Sequence, residues 1–240
     1  MTDAALPTHA DEPHVEQNEN RLNRLRAGVL GANDGIVSTA GIVLGVAGAT
    51  IDSAPLLTAG VAGLVAGAVS MALGEYVSVS SQRDAEKAML AKEERELRED
   101  PEDELAELAA IYRSKGLSEE TSMQVARELS AHDAFAAHVE AELKIDPDDL
   151  TSPTQAALTS AVAFTLGGVL PLLAILLPPL AWRVPVTFVA VLLALAVAGW
   201  VSARLGGAPP VKAVLRVCLG GAVGLAATYG IGMLLGTAVG

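Results

Sequence analysis

Five stretches of this chain, residues 27–49, 55–80, 156–177, 184–203 and 211–239, are almost free of charge and each is long enough to cross a bilayer. A hydrocarbon core about 30 Å thick takes roughly 20 residues of helix. In lipid the backbone must satisfy its own hydrogen bonds, which leaves helices and closed barrels as spanning structures. The sequence carries no strand signal and no repeat at solenoid spacing, so the fold class expected is an all-α membrane protein with five transmembrane helices. The breaks support this division: Pro178-Pro179 ends the third stretch and the segment from Gly206 to Pro210 ends the fourth.

The apolar content, 51% of residues at a mean hydropathy of +0.43, includes only 3% aromatics, so Ala, Val, Leu and Gly carry it. Small residues let helix backbones approach closely where lipid provides no hydrophobic drive between helices. Gly41, Gly45 and Gly48 in the first stretch and Gly60, Gly63 and Gly67 in the second form such small faces. They allow these two spans to approach each other or a second subunit.

Charge is concentrated between the second and third stretches. Residues 83–150 hold 20 of the 28 acidic groups and 9 of the 16 basic ones. Four regions follow: a disordered tail over residues 1–20, helices 1 and 2 over 21–82, an acidic helical domain over 83–152, and helices 3 to 5 over 153–240. Lys and Arg near the span ends set orientation. Arg21, Arg24 and Arg26 precede the first span, Arg83 and Lys87 follow the second, and Arg204 and Lys212 lie between the fourth and fifth. Arg183 is the one basic residue in the opposite loops. The N-terminus and the acidic domain are therefore expected in the cytoplasm and the C-terminus outside, in a multi-pass protein of the cell membrane. The polar start does not read as a signal peptide. The net charge of −12 argues against nucleic acid as a partner, and the single cysteine, Cys218, excludes an intrachain disulfide.

Within the acidic domain, the second span is expected to continue as helix through Arg83 to Arg98. Asp100-Pro101 reads as an N-cap followed by proline at the first helical position, with the helix stopping at Gly116. Ser118 caps a helix ending near Ala131, and Asp133 begins a short one ending near Lys144.

Three groups of residues carry chemistry. Asp34, within Gly31-Ala32-Asn33-Asp34-Gly35, and Glu75, within Ser70-Met71-Ala72-Leu73-Gly74-Glu75-Tyr76, are acids inside spans, where an ionisable group is expensive and marks a pathway by default. Counted from the span ends, both fall in the cytoplasmic half, within about 5 Å of one level. Met71 lies one turn from Glu75, and two carboxylates with a thioether suit a borderline ion such as Fe²⁺ better than Mg²⁺ or Ca²⁺. The competing reading makes Glu75 the interfacial end of its span. Second, Glu93 and Glu96 form one E-x-x-E pair and Glu104 and Glu107 another. Each pair can turn two carboxylates towards one ion, and such motifs occur in di-iron bundles. From spacing alone, a solvated helix face is the stronger reading. Third, His138 and Glu142 are four apart, with Glu140 near; His132, His9 and His14 carry weaker signals.

The run from Leu25 to Thr39, containing Asp34, and the run from Gly67 to Asp84, containing Met71 and Glu75, resemble the vacuolar iron transporter family, related to the yeast vacuolar calcium/iron transporter. The resemblance extends over nearly the whole chain from Arg21, which reads as a prokaryotic-type member. It implies a dimer with five spans and a cytoplasmic helical metal-binding domain inserted between helices 2 and 3. It also implies export of Fe²⁺, often with Mn²⁺, in exchange for protons. The family's metal-binding glutamates fall on Glu93, Glu96, Glu104, Glu107 and Glu142, and its intramembrane Asp and Met on Asp34 and Met71. Where plant-type members carry a Met-Met pair before the last glutamate, this chain has His138-Val139, and His138 is expected to substitute for one of the soft ligands.

The chain is therefore expected to be a transporter and not an enzyme. It would have no permanently bound cofactor, Fe²⁺ or Mn²⁺ as transported ion, and protons, the lipid bilayer and a second copy of itself as partners. Two other classes stay open: a membrane-anchored metal-binding, buffering or storage-type protein, which would need only one span, and a passive channel without proton coupling.

Overall fold

The computed structural model describes residues 15–239, with side chains described from 28 to 237. Seven α-helices appear among the described residues, and no strand. They are α1 (Val15–Ala49), α2 (Ser53–Glu99), α3 (Pro101–Ser114), α4 (Glu119–His138), α5 (Pro153–Leu176), α6 (Arg183–Leu205) and α7 (Pro210–Val239). A π-helical turn, Val139–Leu143, continues α4, and a 3₁₀ turn, Leu180–Trp182, leads into α6. Five of these helices are long and apolar enough to cross a membrane, as the hydropathy pattern predicts. Helix α2, with 47 residues, is about 70 Å long, more than twice the hydrocarbon thickness. Its charged end, from Arg83 onward, is therefore surplus to the span. Of the tail expected over residues 1–20, residues 1–14, with His9 and His14, lie outside the described residues. From Val15 the chain is helical.

The chain divides into two compact units, Met1–Glu75 with Thr154–Gly240, and Tyr76–Pro153. In the first, α1 supplies the middle of the core: Ala40, Val43 and Leu44 are wholly buried. Around them pack Leu56 and Leu64 of α2, Phe164, Leu172 and Ile175 of α5, Val191 and Leu195 of α6, and Leu225 of α7. Large apolar side chains such as Leu166, Val223 and Leu234 point outward, at 70, 70 and 71% exposure, which suits a lipid-facing surface. Glycine makes the close packing possible. A methyl group on Gly35 would collide with the backbone of Phe164 on α5, and one on Gly232 with the carbonyl of Gly45 on α1. The small face of Gly41, Gly45 and Gly48 meets Thr228 and Tyr229 of α7, while Gly60, Gly63 and Gly67 of α2 receive Val43, Ile42 and Phe164. Both faces named in the sequence are thus occupied within the chain itself. Arg183, the exception to the basic-residue pattern, ties two loops together. It donates to Ser53 Oγ at 2.8 Å, to the Ile51 carbonyl at 3.3 Å and to the Pro178 carbonyl at 3.4 Å.

In the second unit α3 and α4 pack through Leu108, Ala109, Ala126, Ala137 and Ala141. The punctuation follows the side chains. Pro101 opens α3 behind Asp100, whose carbonyl accepts from the amides of Asp103 and Glu104 at 3.1 Å. Gly116 ends it with φ of 100°, in the left-handed region that glycine adopts without strain. Ser118 Oγ caps α4 by accepting from the Thr121 amide at 3.2 Å. At Asp133 the backbone leaves helical geometry, and its carboxylate accepts from the Ala136 amide at 2.9 Å, starting a second helical segment within α4. The sequence placed a helix start at this residue.

Candidate metal centre

The second helical segment of α4 ends on His138, and there three helices of the second unit bring their acids together. Glu93 comes from the charged end of α2 and Glu104 from the first turn of α3, one turn before the buried Leu108. Glu142 follows on the π-helical turn, whose wider ring closes with the Lys144 amide on the Val139 carbonyl at 2.7 Å. Such turns recur at functional sites. His138, Glu93 and Glu104 are 0, 3 and 7% exposed, and one ligand atom from each lies within 4.8 Å of the other two. His138 Nδ1 stands 2.9 Å from Glu93 Oε1, 3.4 Å from Glu104 Oε2 and 3.9 Å from Glu142 Oε2.

The shortest of these approaches is not a hydrogen bond. Glu93 Oε1 and both ring nitrogens of His138 are buried without a hydrogen-bond partner among the described residues. Burial makes the charged forms costly. Glu93 is pushed up to about 7, first by burial and then by repulsion from Glu142, Glu104, Glu96 and Glu107. Glu104 moves up for the same reasons, with Lys92 acting in the opposite sense. His138 is pushed down by burial, against the pull of Glu142 and Glu107, which favours the neutral ring with a free lone pair. The result is a buried group of two reluctant carboxylates and one neutral imidazole. Metal bonds of about 2.1 Å place neighbouring donors on one ion about 3–3.4 Å apart, close to the 2.9 and 3.4 Å from His138 Nδ1 to Glu93 and Glu104.

The other expected ligands divide. Glu96 is half-buried and paired with Lys92 Nζ at 2.7 Å. Glu107, Glu140 and His132 are exposed. Glu142 stands at the rim of the buried trio. In the first unit Asp34 is half-buried and accepts from Ser38 Oγ at 2.8 Å. Met71 packs against the apolar core and Glu75 is half-buried. Two partners escaped the sequence reading, Lys92 beside Glu96 and Ser38 beside Asp34, although both pairs sit at the i,i+4 spacing that brings side chains together on a helix.

Comparison with known proteins adds an independent finding. A vacuolar iron transporter of Acanthamoeba castellanii is 44% identical over 212 residues, covering 88% of this chain and 78% of that protein. Vacuolar iron transporter homolog 4 of Arabidopsis thaliana is 37% identical over 233 residues, covering 97% and 94%. Vacuolar iron transporter homolog 5 of Oryza sativa subsp. japonica is 38% identical over 212 residues, covering 88% and 80%. The family model for the VIT family matches residues 25–233, nearly the whole described chain, and the protein belongs to that family.

Proposed function

We propose that this protein exports divalent metal, Fe²⁺ and with it Mn²⁺, from the cytoplasm in exchange for protons. In this reading it is a multi-pass homodimer of the cell membrane, with its N-terminus and acidic unit in the cytoplasm and its C-terminus outside. The observation that carries the reading is the buried trio of Glu93, Glu104 and His138, two carboxylates and an imidazole held close with orphaned donor atoms. The names of the relatives point the same way. Glu93, Glu104, His138 and Glu142 take the ion first, with Glu96 and Glu107 raising the local negative potential that attracts it. Asp34, Met71 and Glu75 then carry it through the membrane unit, where intramembrane acids mark ion pathways. Protonation of Asp34 or Glu75 from the acidic side weakens their hold and releases the ion.

The purified protein in proteoliposomes, given Fe²⁺ on one side and an imposed pH gradient, tests this reading. Uptake that follows the gradient and is lost in Asp34→Ala is expected. Undiminished transport in Asp34→Ala removes that residue from the path. Metal binding without any transport favours the buffering or storage role, against which the five spans argue.

A further inference from the structure

His138 sits where three helices of the second unit converge, and its two nitrogens are its anomaly. A neutral imidazole has one donor and one acceptor nitrogen, and in a buried setting both are normally engaged. Here both lack a hydrogen-bond partner among the described residues, as does Glu93 Oε1, although the ring is 0% exposed. Orphaned buried polar atoms are costly. Nδ1 faces Glu93, Glu104 and Glu142 together, at 2.9, 3.4 and 3.9 Å. A cation among these atoms satisfies the Nδ1 lone pair and the carboxylate oxygens in one arrangement.

From this we infer that His138 Nδ1 is the ion-selecting ligand of the site, making it a one-nitrogen, carboxylate-rich site for Fe²⁺, Co²⁺ and Zn²⁺ that ranks Mn²⁺ lower and rejects Mg²⁺ and Ca²⁺. The inference rests on the reading of this unit as a metal-collecting domain and specifies which metals it collects. The chemistry is that of the donor set. Imidazole suits the later first-row metals, and affinity at a nitrogen-containing site rises from Mn²⁺ through Fe²⁺ to Co²⁺ and beyond. Calcium prefers six to eight oxygen ligands, and an imidazole nitrogen at the centre of the site takes one of the places an oxygen would fill. Glu96 is held by Lys92 and Glu107 is exposed, so the buried oxygens come from Glu93 and Glu104, with Glu142 at the rim. An oxygen-only cage would accept hard ions; replacing one inner donor by nitrogen biases the site against them.

The experiment uses the full-length protein in detergent without a polyhistidine tag, with His9, His14 and His132 changed to Asn so that His138 is the sole imidazole. X-ray absorption with one equivalent of Zn²⁺ is expected to show imidazole scattering, absent after His138→Asn. Competition titrations are expected to give a loss of about tenfold or more in Co²⁺ affinity in His138→Asn, with Mn²⁺ affinity changed no more than about threefold. His138→Gln serves in the same way if His138→Asn does not fold. Absence of imidazole scattering, or parallel losses for Co²⁺ and Mn²⁺, overturns the inference. A variant with an unchanged Co²⁺ to Mn²⁺ ratio overturns it while leaving the metal-collecting reading standing. A wild-type protein that binds none of these ions overturns both.

Discussion

Changing Glu93 to Gln is expected to make the metal-free protein more stable above neutral pH, although it removes a central ligand. The carboxyl is 3% exposed and its proton affinity is raised to about 7 from an ordinary value of 4.5. A raised value in the fold means that its stabilising contribution is complete below the unfolded value and is lost as pH rises through 7. Two to three units at about 1.4 kcal/mol each give a cost of about 3 kcal/mol for the naked charge at alkaline pH. Gln keeps the shape without the charge. In melts followed with excess chelator, Glu93→Gln should therefore exceed wild type by several degrees at about pH 8, and the gap should close near pH 5. With metal the order reverses, because binding stabilises only the form that can bind. A variant that melts below wild type at the alkaline pH without metal, or whose advantage is the same at both pH values, would refute the argument that Glu93 is held as a strained buried charge.

Three further outcomes follow from the same geometry. Metal affinity of the wild-type protein should fall as pH drops through about 7, approaching tenfold per unit where one proton competes with one ion, as read by competition titration; affinity that stays flat between about pH 8 and 6 contradicts this. Gly35→Leu should destabilise the membrane unit by about 3 kcal/mol or more, seen as lost folded yield in detergent, because its side chain has the Phe164 backbone in its place. The same change at Gly74, which has open space around it, should be tolerated. Arg183→Ala should cost about 1–3 kcal/mol by releasing Ser53 and the Ile51 and Pro178 carbonyls, lowering the melting temperature without altering metal affinity of the acidic unit.

The spans were legible because hydropathy over about 20 residues is a local property, and so were the caps at Ser118 and Asp133 and the stop at Gly116. The glutamate pairs were legible only as pairs. In each, the first member is buried, Glu93 and Glu104, while the second is paired with lysine or exposed. Spacing of three puts both on one helix face, but which of them meets a neighbouring helix depends on packing that spacing does not encode. His138 was legible as a ligand through the family resemblance and its spacing from Glu142, but not as a buried group, because Glu93 and Glu104 beside it lie more than 30 positions away in sequence. The π-helical turn that carries Glu142 to its side has no local signature of the kind that capping residues provide. The glycine faces were visible as surfaces without partners. Only the fold assigns α7 to one of them, and α1 and α5 to the other.

Exchange of metal for protons, as proposed, can be read by recording Fe²⁺ entry and lumenal pH in the same proteoliposomes, with no pH gradient imposed at the start. Fe²⁺ flowing down its own gradient is expected to drive protons the other way, and both signals are expected to vanish in Asp34→Ala. Iron entry with no accompanying proton movement, or no iron entry at all, would contradict the proposed exchange.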